Sequence, residues 1–61
     1  MVVKTNIRQG NLHVLEIPGI VLYRENDKIR VGNAEYTVIG AKTIVDAANK
    51  IIHDVEVQRW K

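Results

Sequence analysis

β-branched aliphatic residues dominate the apolar part of this chain and most constrain its fold. Val and Ile together occupy seventeen of the 61 positions, against three Leu and no Phe. Such side chains pack well on a pleated strand, whereas α-helices disfavour them slightly. The composition therefore predicts a mainly β protein. The length predicts one small domain over residues 1–61, near the lower limit for folding alone.

Turn-forming residues divide the chain into short segments. The turn signals are Gln9-Gly10-Asn11, Pro18-Gly19, Glu25-Asn26-Asp27 and Gly32-Asn33. The segments between them are predicted strands: Val2–Arg8, Leu12–Ile17, Ile20–Arg24, Lys28–Val31 and Ala34–Ile39. Strands this short and closely spaced favour a small SH3-like barrel or a twisted antiparallel meander of five to six strands.

The turn at Gly32-Asn33 also predicts a register. Glycine accepts positive φ freely and asparagine tolerates it, so this pair forms a two-residue hairpin turn. The predicted pairs are Lys28 with Thr37, Ile29 with Tyr36, Arg30 with Glu35 and Val31 with Ala34. One face of the hairpin is then apolar, and the other is polar and includes the opposite charges of Arg30 and Glu35.

Two features of the C-terminal third shape its expected structure. Gly40 predicts a bulge or sharp bend, which lets one strand serve two sheets. The stretch from Lys42 to Arg59 has two interpretations. In one it is a hairpin that turns at Ala47–Lys50 and places Lys42 opposite Asp54. In the other a short helix near residues 43–54 precedes a last strand, with Thr43 as its N-cap.

Catalytic and metal-binding patterns are missing from the sequence. There is no Ser and no Cys, so the commonest hydroxyl and thiol nucleophiles are absent. His53 and Asp54 are neighbours on a strand and point to opposite faces. His13 and His53 are far apart in sequence and are expected to be half-exposed strand residues. We therefore expect no catalytic residue, no metal site, no cofactor and no enzymatic activity.

Basic residues and a single tryptophan provide a candidate interaction surface. The formal net charge is +2, a mild bias that neither requires nor excludes a nucleic-acid partner. The candidate surface consists of Lys28, Arg30, Lys42, Arg59 and Trp60. Trp60 is expected either to close the open end of a barrel or to contact a partner.

The sequence also bears on location. No apolar run approaches the roughly 18–20 residues of a membrane-spanning helix, and the first residues do not resemble a signal peptide. We expect a cytoplasmic protein with no membrane partner.

The segment Lys28-Ile-Arg-Val-Gly-Asn-Ala-Glu-Tyr-Thr-Val-Ile-Gly and the later run Ile52-His-Asp-Val-Glu-Val-Gln-Arg resemble parts of a known family. They are similar to the small SH3-like barrels of tailed-phage head-tail joining and tail-component proteins, over roughly residues 19–60. The resemblance implies an assembly role inside a virion.

Two functions remain open on this basis. The first is a non-enzymatic protein-interaction or assembly module, self-associating as a homo-oligomer or binding another protein through its strand edges. The alternative is a small β-barrel that binds nucleic acid through its exposed Lys and Arg residues and Trp60.

Overall fold

The computed structural model describes residues 2–60, and these form a single five-stranded sheet. The strands are β1 (Val2–Gln9), β2 (Leu12–Pro18), β3 (Lys28–Val31), β4 (Ala34–Asp46) and β5 (Lys50–Arg59). They lie in the order β2-β1-β5-β4-β3, and the sheet curls into a nearly closed barrel. All neighbours are antiparallel except β1 and β5, which run parallel. The predicted β fold is confirmed.

Two hairpins use the same Gly-Asn turn. Gly10-Asn11 joins β1 to β2, and Gly32-Asn33 joins β3 to β4. The glycines have φ of 58° and 62°. Asn33 does not adopt positive φ, so the second turn has the glycine-first pattern of type II′. The predicted register of this hairpin is confirmed at all four pairs. However, the Arg30 guanidinium donates to the Gly32 carbonyl at 3.2 Å rather than to Glu35.

The core lies between the curled walls of the sheet. Its buried apolar residues come from four of the five strands and are Ile7, Ile29, Tyr36, Val38, Val55 and Val57. β2 and the connection after it contribute partly buried side chains, including Leu15, Ile17 and Tyr23. The predicted apolar face of the β3–β4 hairpin therefore faces the core.

The long strand β4 changes partners along its length. Its first residues, Ala34–Thr37, pair with β3 on one side. The pairing with β5 extends from Tyr36 to Asp46 and shifts between Val38 and Gly40, leaving Ile39 as an extra residue. This shift is the bulge that Gly40 predicted. Beyond it, β5 is the only strand that pairs with β4 in the described part of the chain.

The helix near residues 43–54 is a wrong prediction, and the hairpin alternative is confirmed. Lys42 lies opposite Asp54, as the hairpin required. The turn is one residue shorter than predicted, because Lys50 already pairs with Asp46 and belongs to β5. Asn49 closes the turn with a φ of 61° and donates its N–H to the Asp46 carbonyl at 3.1 Å. No helix within residues 2–60 is long and apolar enough to cross a membrane.

The predicted strand Ile20–Arg24 is also wrong, because its backbone groups bond elsewhere. The Val21 N–H donates to the Thr5 hydroxyl at 2.8 Å, and the Tyr23 N–H donates to the Val21 carbonyl in a tight turn. The Arg24 N–H then donates to the Asp27 carboxylate at 2.8 Å. The N–H groups of Val21, Tyr23 and Arg24 therefore bond to side chains and a local turn instead of a neighbouring strand.

Candidate interaction surface

The end of the β4–β5 hairpin is exposed, although its β5 side pairs with β1 from Lys50 onward. We call residues 41–50 the arm, and every one of them is exposed. The side chains at positions 44 and 45 lie on opposite faces, and both are apolar: Ile44 is 41% exposed and Val45 is 74% exposed. The arm thus presents apolar surface on both faces without a core to cover it.

One edge of the arm carries unpaired backbone groups, and the pairing identifies them. The Val38 N–H donates to the Asp27 carbonyl at 2.8 Å and is therefore directed away from β5. Bonded and non-bonded pairs alternate along an antiparallel ladder, and the bulge adds Ile39 without a partner of its own. The pair after Val38–Val57, which is Gly40 with Glu56, is therefore bonded to β5. Continuing that alternation leaves three residues with amides directed away from β5: Ala41, Thr43 and Val45. We call this the free edge of β4.

The free edge has little of the protection that exposed edges usually carry. Proline, bulges and charged side chains commonly block such edges against pairing with another strand. Between Ala41 and Asp46 there is no proline, the bulge precedes the segment, and the charges are the opposite ones of Lys42 and Asp46. Three of the six residues are β-branched. The segment is therefore a ready template for an added strand.

The outer surface of the parallel β1–β5 pair carries an ionic network centred on Asp54. The Arg8 Nε lies 3.0 Å from Oδ2 and 3.2 Å from Oδ1 of Asp54. Arg8 also pairs with Glu56 at 3.3 Å and donates to the Gly10 carbonyl at 3.0 Å. The hydrogen bond to Asp54, followed by the carboxylate charges, raises the pKa of the Arg8 guanidinium above its usual value. The network ties β1 to β5 and leaves no unpaired carboxylate at Asp54.

A second ion pair on the same surface joins β1 to β2. The Lys4 ammonium donates to Glu16 at 2.8 Å. This hydrogen bond, together with the charge of Lys4, lowers the pKa of the Glu16 carboxyl. Both side chains are substantially exposed, so the pair adds little to stability.

The five predicted surface residues do not form one patch. Lys28 lies over the Trp60 ring at 5.0 Å from its centroid, and Arg30 shares the outer face of β3 with Lys28. Lys42 lies on the arm opposite Asp54. Arg59 pairs with the core residue Tyr36 and so lies on the core-facing side at the barrel end. Trp60 remains 52% exposed.

His53 was expected to be half-exposed, and the structure corrects this: only 6% of it is accessible. It lies on the central strand β5 opposite Thr5 of β1, which is fully buried. Its Nδ1 is 3.2 Å from the Thr43 hydroxyl, and its Nε2 is buried without a hydrogen-bond partner among the described residues. Sequence reasoning missed this burial because it depends on the parallel pairing of strands about 48 residues apart.

Sequence reasoning also missed the free edge, although a signal for it existed. The confirmed hairpin pairs β3 with only four residues of β4, while the hairpin interpretation of residues 42–59 carries β4 much further. The difference in length leaves the second half of β4 with one neighbour.

Metal-binding clusters and known relatives were the two remaining sources of a functional assignment. No group of three or more His, Asp or Glu side chains within residues 2–60 is arranged to hold a metal ion. Comparison with known proteins adds no relative: no protein-family model, no curated protein and no solved structure matches this chain.

Proposed function

We propose that this protein is a non-enzymatic interaction module that binds a protein strand along the free edge of β4. The observation that carries the proposal is the set of unpaired amides at Ala41, Thr43 and Val45, on an arm that is exposed throughout. An added strand satisfies these amides, and its side chains cover the apolar residues beside them. This is recognition by β-augmentation.

The small core supports the same proposal. Only six apolar residues are buried within residues 2–60, and a domain of this size gains from any further burial. A partner seated on the arm covers Ile44 and Val45, which the chain itself leaves in water. The resemblance to tailed-phage barrels suggests an assembly component of a virion, and a cytoplasmic assembly protein fits the same chemistry.

A nucleic-acid-binding role is the second candidate, and one observation favours it. The Lys28 ammonium lies over the exposed Trp60 ring at one end of the barrel, and Arg30 shares the outer face of β3 with Lys28. Phosphate contacts and base stacking need such a combination. Lys42 and Arg59 do not extend this group into a continuous basic path, so the free edge supports the protein partner better.

The experiment tests strand addition directly. A fluorescent peptide of alternating Thr and Val, with terminal Lys residues for solubility, is titrated with the protein at low micromolar concentration. Val45→Pro removes an outward N–H without touching the bonds to β5, and proline is tolerated at such an edge. Val45→Thr is the matched control, since it keeps the N–H and the β-branch.

We expect the peptide to bind the unchanged protein and the Val45→Thr variant, and to bind Val45→Pro at least about tenfold more weakly. Circular dichroism checks that both variants are folded. Equal binding to all three proteins excludes the free edge as the site. Absence of peptide binding, together with a salt-sensitive complex with a short DNA duplex, supports the nucleic-acid alternative instead.

A further inference from the structure

We propose that the strand seated on the free edge is the same edge of a second copy of this chain, in one specific antiparallel register. This inference rests on the proposed function and deepens it by naming the partner. The register places Ile44 opposite Ile44 of the second copy, with the twofold axis passing between them. Such an interface is self-complementary and closes as a dimer.

Backbone geometry permits this register. In an antiparallel pair, facing residues either exchange two hydrogen bonds or none. Thr43 and Val45 both direct their amides outward, and the register places each opposite the other in the second copy, where they exchange bonds. Ile44 directs its amide towards β5, so it forms the non-bonded pair. In such pairs the strands approach most closely, with Cα atoms about 4.5 Å apart.

Charge complementarity selects this register from its neighbours. It places Lys42 opposite Asp46 of the second copy, and the reverse pair follows by symmetry. Within each copy, Lys42 already lies opposite Asp54, and Asp46 lies opposite Lys50. The four side chains then form one row across four strands, with alternating charges in the order Asp54, Lys42, second-copy Asp46 and second-copy Lys50.

Registers shifted by two residues lose this match. Centring the axis on Thr43 places Lys42 opposite Ile44 and Asp46 opposite Gly40. Centring it on Val45 places Asp46 opposite Ile44. Each alternative sets a charge against an apolar or missing side chain, whereas opposite charges across a strand pair are favourable.

The apolar residues of the same face complete the match. Ile44 lies opposite Ile52 of β5, which is half-buried. Two copies in this register bring Ile44 and Ile52 of each into one unbroken row across four strands, flanked on both sides by the charged rows. The dimer therefore covers the Ile44 side chain, which is 41% exposed in the single chain.

Disulfide trapping tests the register, because the chain contains no cysteine. The register brings the two copies of residue 44 within disulfide range, whereas the two copies of residue 45 are roughly 8 Å apart at Cα, beyond the reach of a disulfide. We expect Ile44→Cys to form a covalent dimer under mild oxidation at least about tenfold faster than Val45→Cys. Val45 is the more exposed residue, so random collision predicts the opposite order.

Charge reversal provides the second measurement, read as solution mass by light scattering. Lys42→Glu and Asp46→Lys each set like charges against each other at the interface, and we expect each variant to dimerise at least about tenfold more weakly. In a mixture of the two variants, the two substituted positions face each other with opposite charges, and the unchanged Lys42 of one chain faces the unchanged Asp46 of the other. We therefore expect the mixture to recover the dimer, which no effect within a single chain can produce.

The outcomes separate this inference from the proposed function. A protein that remains monomeric but binds the Thr-Val peptide at the free edge overturns the second-copy inference and leaves the proposed function standing. A dimer that Val45→Pro weakens, but in which the charge-reversed mixture is not recovered, overturns the register. A protein that binds neither the peptide nor itself overturns both.

Discussion

Arg8 reaches diagonally across the parallel β1–β5 pair to Asp54, with its Nε 3.0 Å from one carboxylate oxygen and 3.2 Å from the other. The two residues are 46 positions apart in sequence, and Asp54 is only 8% exposed. Asn6 of β1 donates to the same carboxylate at 3.4 Å. Asp54 therefore anchors the pairing of the first strand with the last.

Neutralising Asp54 is expected to destabilise the fold. Asp54→Asn keeps the shape but removes the charge that Arg8 faces, and charge-assisted hydrogen bonds contribute about 1.5–3 kcal/mol. We expect a loss of about 1–2 kcal/mol in the free energy of unfolding, measured by chemical denaturation. Glu56→Gln is the control, since that side chain is 40% exposed and its loss is expected to stay near 0.5 kcal/mol. Equal losses for the two variants contradict an anchoring role for Asp54.

Two neighbouring residues of β3 test which face of the β3–β4 hairpin lies against the core. Ile29→Asp places an unpaired charge at a site that is 7% exposed, and we expect the domain to unfold. Arg30→Glu changes the next residue, on the exposed face, and we expect the free energy of unfolding to change by less than about 0.5 kcal/mol. Circular dichroism distinguishes the two. A native-like spectrum for Ile29→Asp contradicts the register.

The glycines at 32 and 40 are expected to respond differently to alanine. Gly32 has a φ of 62°, so a Cβ there strains the turn, and we expect Gly32→Ala to cost about 1–3 kcal/mol. Gly40 does not have positive φ, and a Cβ would meet no atom within 4 Å. Gly40→Ala is therefore expected to be neutral, or stabilising by up to about 1 kcal/mol through reduced freedom of the unfolded chain. Thermal unfolding of the two variants measures the difference in their stability. A larger loss of stability for Gly40→Ala than for Gly32→Ala contradicts the assignment of strain to the Gly32 turn.

The hydroxyl of Thr5 is expected to hold the irregular connection after β2. It donates to the Gly19 carbonyl at 2.9 Å and accepts from the Val21 N–H at 2.8 Å, in a fully buried position. Thr5→Val keeps the shape but leaves both partners unpaired, and we expect a loss of about 1–3 kcal/mol. Faster hydrogen exchange at the Val21 amide accompanies it. Thr5→Ser keeps both hydrogen bonds and serves as the control. If Thr5→Val leaves hydrogen exchange at the Val21 amide unchanged, the Thr5 hydroxyl does not hold this connection.

Local features were predictable where a turn and a face pattern agreed. The Gly32-Asn33 turn and the alternating residues around it predicted all four pairs of that hairpin, because a two-residue turn leaves only one register open. Gly40 predicted the bulge because glycine is unfavourable in the interior of a regular strand. Ile20–Arg24 has the composition of a strand, yet it forms none, and three of its N–H groups bond to nearby side chains or within a local turn.

The preference for strands, the tight turns and the core-facing side of the β3–β4 hairpin follow from local sequence, since they depend on the conformational preferences of neighbouring residues. The parallel pairing of β1 with β5 does not follow from local sequence. Neither do the burial of His53, the contact between Arg8 and Asp54, and the half of β4 that has no second neighbour. Those features depend on which distant segments meet. Several arrangements bury the same apolar faces, and only the packed sheet distinguishes among them.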